Sequence, residues 1–258
     1  MLFLKILFFL CVSTAFGQDV LGKGRIDWAN QKIFGYGFSS SLESGGLSSS
    51  VFLSRDRARV HLLELLNDIP YQGEKRLGGV FETHRLRYKV VKSTVESKRE
   101  ENVEVPNGKA VQMEIGISMI KRPLVSMIYG DLTPYSDMLG PTKGGVKGYA
   151  GVVLDARGMG VFPQLFPILG GLGGEPIFDT KRVDLRWALK WGAVVWVADS
   201  GALSDLQNRI GRTPYELKVN SVNVENGLIL LDEKSTDELK KSKFLLQALK
   251  EGRFAVLY

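Results

Sequence analysis

Asp155 and Arg157 stand two residues apart at the end of an apolar run, and Gly158, Gly160, Pro163 and Pro167 follow. On a strand, residues i and i+2 share a face. Opposite charges placed this way can meet a common ligand. A guanidinium with a neighbouring carboxylate can position a substrate carboxylate or phosphate through its fork of donors. The same residues also suit a structural role. The glycines admit backbone angles that other residues avoid, the prolines stiffen the exit, and the ion pair ties the turn. The turn is the favoured reading, because no recognisable nucleophile or base accompanies the pair.

Other chemistry is sparse. His61 and His84 are the two histidines, and neither has a second ligand at metal-binding spacing. Gly140 to Gly145 ("GPTKGG") lacks the order of a phosphate loop, and Gly35-Tyr36-Gly37 lacks the third glycine of a dinucleotide loop. The serine elbow of hydrolases is absent. Ser118-Met119-Ile120-Lys121, Ser136-Asp137 and Lys143-Gly144-Gly145 imitate the penicillin-recognising motifs. Ser118 and Lys121 end an alternating strand, however, where i and i+3 point to opposite faces. No metal and no cofactor is expected. Arg55, Arg57 and Arg59, off the apolar stripe of a helix, form a candidate interaction face.

The elements that carry these residues follow from periodicity. Ile26 to Phe38 reads as a strand ending in Gly35 and Gly37, followed by a Ser/Gly loop. A helix then begins near Val51, with Ala58, Leu62, Leu65, Leu66 and Ile69 on its stripe and Pro70 as its stop. Val80 to Val91 and Ala110 to Met119 read as a long antiparallel pair, with Pro106-Asn107-Gly108 as a turn between them. Strands are expected at Gly148 to Leu154, Ala193 to Ala198, Tyr215 to Val224 and Leu228 to Leu231, the last two joined by an Asn-Gly turn. Ser235 to Lys250 reads as one helix with Leu239, Phe244, Leu245 and Leu249 inward, and "RFAVLY" as a final strand. The fold class is α+β, with antiparallel sheets and a few packed helices in two small α/β subdomains. The boundaries are 18–130 and 148–258, joined by a loop at 131–147.

The first 17 residues have the form of an export signal: one lysine, a short apolar run, and small residues at Ala15 and Gly17 before a cleavage site at Gln18. The run is too short to span a bilayer. Cys11, the sole cysteine, follows residues too bulky for a lipoprotein box, so an acylated outer-membrane form is the less favoured reading. Cleavage leaves a chain with no thiol, which suits a bacterial periplasm and a fold stabilised by core burial alone. The 258 residues carry a net charge of +6. The densest basic pair, Lys98-Arg99, is flanked by Glu96, Glu100 and Glu101. That pattern is a solvated charged segment rather than a nucleic-acid surface. Membrane contact is expected to be peripheral at most.

The line from Ala150 to Pro163, "AGVVLDARGMGVFP", resembles bacterial envelope proteins of the LPP20 lipoprotein and flagellar assembly protein T type. Gly174-Glu175-Pro176-Ile177-Phe178 fits their following segment loosely. The Gly-x-Gly strand, the Ser/Gly loop, the helix with Arg57-Ala58-Arg59 and the C-terminal "FLLQALKEGRFAVLY" are similar too. The resemblance implies no enzymatic activity. It implies a structural or assembly role in the envelope or flagellum, in a motor ring or a filament sheath, with envelope or flagellar proteins or further copies of the chain as partners. The departure lies at the N-terminus, where family lipoproteins are acylated and this chain reads as cleaved. A ligand-binding module or hydrolase using Asp155 and Arg157 is the alternative.

Overall fold

The computed structural model describes residues 18–82, 85, 87–88, 97–105, 108–121, 124–129 and 151–258. Expectations for the export signal, His84, the turn at Pro106-Asn107 and the 131–147 loop lie outside the described residues. The fold is α+β, built on two sheets.

The first sheet is antiparallel, in the order β1 (Gln18–Leu21), β2 (Gly24–Asp27), β3 (Lys32–Ser40), β7 (Gly108–Ser118), β6 (Ser97–Val105). Between β3 and β6 come helices α1 (Ser41–Ser44) and α2 (Leu47–Asp68), the ribbon β4 (Pro70–Gln72) and β5 (Lys75–Arg76), and α3 (Leu77–Val80). Helix α4 (Leu124–Ile128) follows β7. Helix α2 buries Ser50, Ser54, Ala58, Leu62, Leu65 and Leu66 against the sheet. Two glycines of β3 make this approach possible. A Cβ at Gly35 would run into the Ala58 carbonyl and Leu62, and one at Gly37 into the Ser54 carbonyl. With only hydrogens there, the helix backbone lies almost directly on the strand.

The second sheet is mixed, in the order β10 (Pro176–Asp179), β9 (Ile168–Gly170), β13 (Leu228–Leu231), β12 (Tyr215–Asn223), β8 (Val152–Asp155), β14 (Phe254–Leu257), β11 (Val195–Val197). Central β8 runs parallel to both β12 and β14, and β14 runs parallel to β11. Buried on both faces, β14 and the Val152–Leu154 part of β8 are continuous apolar runs, as parallel strands should be. Helices α5 (Leu185–Trp191), α6 (Gln207–Ile210), α7 (Glu233–Lys241) and α8 (Lys243–Lys250) cover this sheet, with a 3-10 segment at Ser200–Leu206. Among the described residues, no helix is long and apolar enough to cross a membrane.

One apolar core runs through both halves, from Ile33, Leu62 and Met113 to Phe166, Trp196 and Phe254. Polar contacts cross the seam as well. Leu165 N donates to the Pro70 carbonyl and Phe166 N to the Tyr71 carbonyl, each at 2.9 Å. Gly73 N donates to Gln164 Oε1 at 2.7 Å, and Ala193 N to the Tyr129 hydroxyl at 3.2 Å.

Several local expectations are corrected. Ile26 to Phe38 is a hairpin rather than one strand, and its turn is shaped by Asp27, which accepts from Asn30 N at 3.0 Å and Asn30 Nδ2 at 2.9 Å. The Ser/Gly loop is largely helical. Ser40 accepts from Glu43 N to cap α1, and α2 starts at Leu47. The partner of the Ala110 to Met119 strand is β6 rather than Val80 to Val91. Val80 ends α3, and residues 85, 87 and 88 are helical. The charged β6 escapes a hydrophobic search because it is an edge strand, where charge suppresses pairing with other chains. Ser235 to Lys250 lies in two helices. Ser242 breaks the run and caps the second by accepting from Leu245 N at 3.2 Å. The break resets the phase between Leu239 and Leu245, six residues apart and off helical spacing.

Candidate functional site

Strand β8 ends at Asp155, and the chain leaves the sheet in a defined sequence of bonds. Ala156 N donates to the Leu257 carbonyl at 2.9 Å, extending the ladder by one residue. Met159 N then donates to the Ala156 carbonyl at 3.1 Å and closes a four-residue turn. Gly158 is the third residue of that turn with φ 75°, the sign a type II turn requires there, and Gly160 follows with φ 67°. No atom lies within 4 Å of a Cβ built at either glycine. The requirement is therefore conformational rather than spatial. Beyond the glycines the chain dives inward, and Val161 and residues 163–167 are buried, Pro163 and Pro167 included.

Asp155 and Arg157 meet on this turn. Arg157 Nε donates to Asp155 Oδ1 at 2.8 Å and Nη2 to Oδ2 at 2.7 Å, while the Arg157 backbone N donates to Oδ1 at 3.3 Å. This is the two-toothed pairing of a guanidinium with a carboxylate. The hydrogen bond from Arg157 holds the Asp155 carboxyl below its ordinary range, and Lys218 adds to the effect. The same bond raises Arg157, with a smaller contribution from Glu216. The Arg157 side chain is 52% exposed and that of Asp155 23%. Together with Met159, Lys218 and Val219 they line a shallow, open depression. Lys218 stands directly across from Asp155 in the β8–β12 register.

The three arginines of α2 part company. Arg57 pairs with Glu43 and donates to the Phe38 carbonyl at 2.6 Å, bracing α1 against α2. Arg55 lies over the Phe52 ring at 5.7 Å, and Arg59 is 3.8 Å from Asp56. At 100° per residue, Arg55 and Arg59 share a face and Arg57 points to the other side. His61 Nδ1 is 2.6 Å from the Tyr36 carbonyl oxygen, a contact between helix and sheet. Ser118 closes β7, and its hydroxyl accepts from Ile120 N at 3.2 Å, as a strand-ending residue does. Among the described residues, no three His, Cys, Asp or Glu side chains converge as metal ligands.

Arg209 is a buried polar residue that sequence reading missed. It is 6% exposed. Nε donates to the Gly252 carbonyl at 2.7 Å, Nη1 to that of Trp191 at 2.6 Å and Nη2 to that of Gly192 at 3.1 Å. These carbonyls lie where α5 and α8 end, and a cation there complements two helix dipoles. Burial pushes the guanidinium down to about 9, so it remains charged at neutral pH. The surrounding "LQNRIG" has the polarity of a surface turn, so no pattern marks this arginine as internal.

Residues 151–258 match a family described as Treponema pallidum Tp0624, second domain. The match covers less than half the chain, begins one residue before β8 and contains the Asp155–Arg157 turn. No curated protein matches the chain.

Proposed function

We propose that this protein is a non-enzymatic structural or assembly component of a bacterial cell envelope, exported to the periplasm and associated with the flagellum. The observation that carries the reading is the closure of the Asp155–Arg157 pair on itself. Three hydrogen bonds from Arg157 to one carboxylate tie a glycine turn at the end of the central strand. The acid and base that most resembled reactive groups thus have a conformational task. The export-type N-terminus and the resemblance of the "AGVVLDARGMGVFP" line to envelope and flagellar proteins supply the location and the class of partner. The likeness of residues 151–258 to a domain of a Treponema pallidum protein accords with a bacterial source. Partners are other envelope or flagellar proteins, or further copies of the chain.

The reading is tested by cross-linking in the native cells followed by affinity purification and quantitative mass spectrometry. Flagellar or outer-membrane components are expected above control. Enrichment of cytosolic proteins alone contradicts it. The depression shared by Arg157, Lys218 and Asp155 favours a second reading, an anion-binding module or hydrolase. Under that reading, Arg157→Ala abolishes ligand binding and leaves partner capture untouched.

A further inference from the structure

Gln31 is the one non-glycine residue with positive φ among the described residues, at 53°. Such a conformation costs energy and persists where its surroundings enforce it. Here they do. Asp27 holds Asn30 through two hydrogen bonds, and Met119 N donates to the Gln31 carbonyl at 2.9 Å. The turn is thereby pinned to the end of β7. What the strained backbone achieves is an aim. The Gln31 side chain, 7% exposed, crosses the seam, and its Nε2 donates to the Trp191 carbonyl and, at 3.3 Å, to that of Val194.

The receiving surface is built for it. Trp191 ends α5, and its carbonyl also accepts from Arg209. Gly192 follows with φ 78°, and a Cβ there would collide with the Gln31 amide. Val194 directly precedes β11, the edge strand of the mixed sheet. The neighbours of Gln31 in the turn dock as well. Trp28 is buried in the shared core, and Ala29 packs on the separate cluster formed by Val153, Val195, Val197 and Leu257.

We propose that the β2–β3 turn is a latch. Seating of the Gln31 amide against the Trp191 and Val194 carbonyls fastens the α5–β11 segment to the N-terminal half, and unseating it frees that segment while the shared core and the other seam bonds hold the sheets together. This inference stands independently of the proposed function.

Amide hydrogen exchange on the full chain tests it, because local opening is read segment by segment. Gln31→Ala removes the side-chain bonds but keeps the strain. Gln31→Gly removes both, so it stays folded if strain is what threatens the first variant. In each, exchange across residues 192–197 is expected to quicken about tenfold or more, as loss of one buried and one partly buried hydrogen bond implies. Exchange within residues 111–117 of β7 is expected to stay unchanged. Equal acceleration of both segments, or acceleration of neither, overturns the latch.

Discussion

Asp155 and Arg157 show how residue types that suggest chemistry also fix a conformation. The pair is largely solvent-facing, and exposed ion pairs contribute about 0–1 kcal/mol. Arg157→Ala is therefore expected to lower stability by less than about 1 kcal/mol at neutral pH, measured by denaturant unfolding. The pH dependence follows from the lowered folded-state pKa of Asp155. Its contribution is present above the unfolded carboxyl pKa and is lost as pH falls through the folded value. The two proteins should converge in stability only once pH has fallen through the lowered folded value, below which Asp155 is protonated in both. A constant gap down to that pH would assign Arg157 a role other than holding the carboxylate. Arg209 is a different case. Arg209→Met leaves buried carbonyls of Gly252 and Gly192 without this donor. A loss of about 3 kcal/mol is expected. Thermal unfolding should register it as a fall in Tm of about 10 °C.

At the scale of elements, the packing of α2 on β3 depends on Gly35 and Gly37. Gly37→Ala forces the helix off the sheet and is expected to cost about 2 kcal/mol or more by denaturant unfolding. Alanine at Gly45, where no atom lies within 4 Å of the new Cβ, tests conformational strain without this collision. The two-residue glycine spacing was legible in the sequence, but its purpose was not. It read as the end of a strand, whereas it is the floor beneath a helix backbone that arrives from later in the chain. The α2 stripe was legible for the converse reason. Ala58, Leu62, Leu65 and Leu66 lie on α2, Ile69 follows directly at its C-cap, and all five are buried, so local periodicity carried the whole signal. β6 was hidden because edge position permits charge, and the break at Ser242 because two helices in succession share one amphipathic composition. The turn at Gly158 was readable from its glycines and charges. The clusters around Arg209 and Gln31 were not, since Arg209 reaches backbone carbonyls 17 to 43 positions away and Gln31 reaches one 160 positions away, and no residue type announces a carbonyl.

The whole molecule joins an antiparallel sheet with one long helix to a mixed sheet covered on both faces, through a shared core and a polar seam. The likeness to the second domain of Treponema pallidum Tp0624 starts at the mixed sheet, and the N-terminal half reaches into that region through Gln31, Gly73 and Tyr129. The proposed role as a component that holds other proteins in place rests on the most reactive-looking pair being tied into a turn. The most direct measurement is in-cell cross-linking of the full chain, with Arg157→Ala compared against the unaltered protein. The account predicts the same flagellar or outer-membrane components in both captures, because Arg157 serves the turn and not a ligand. Capture of cytosolic proteins alone, or loss of a bound small anion in the variant while its fold and partners persist, would contradict it.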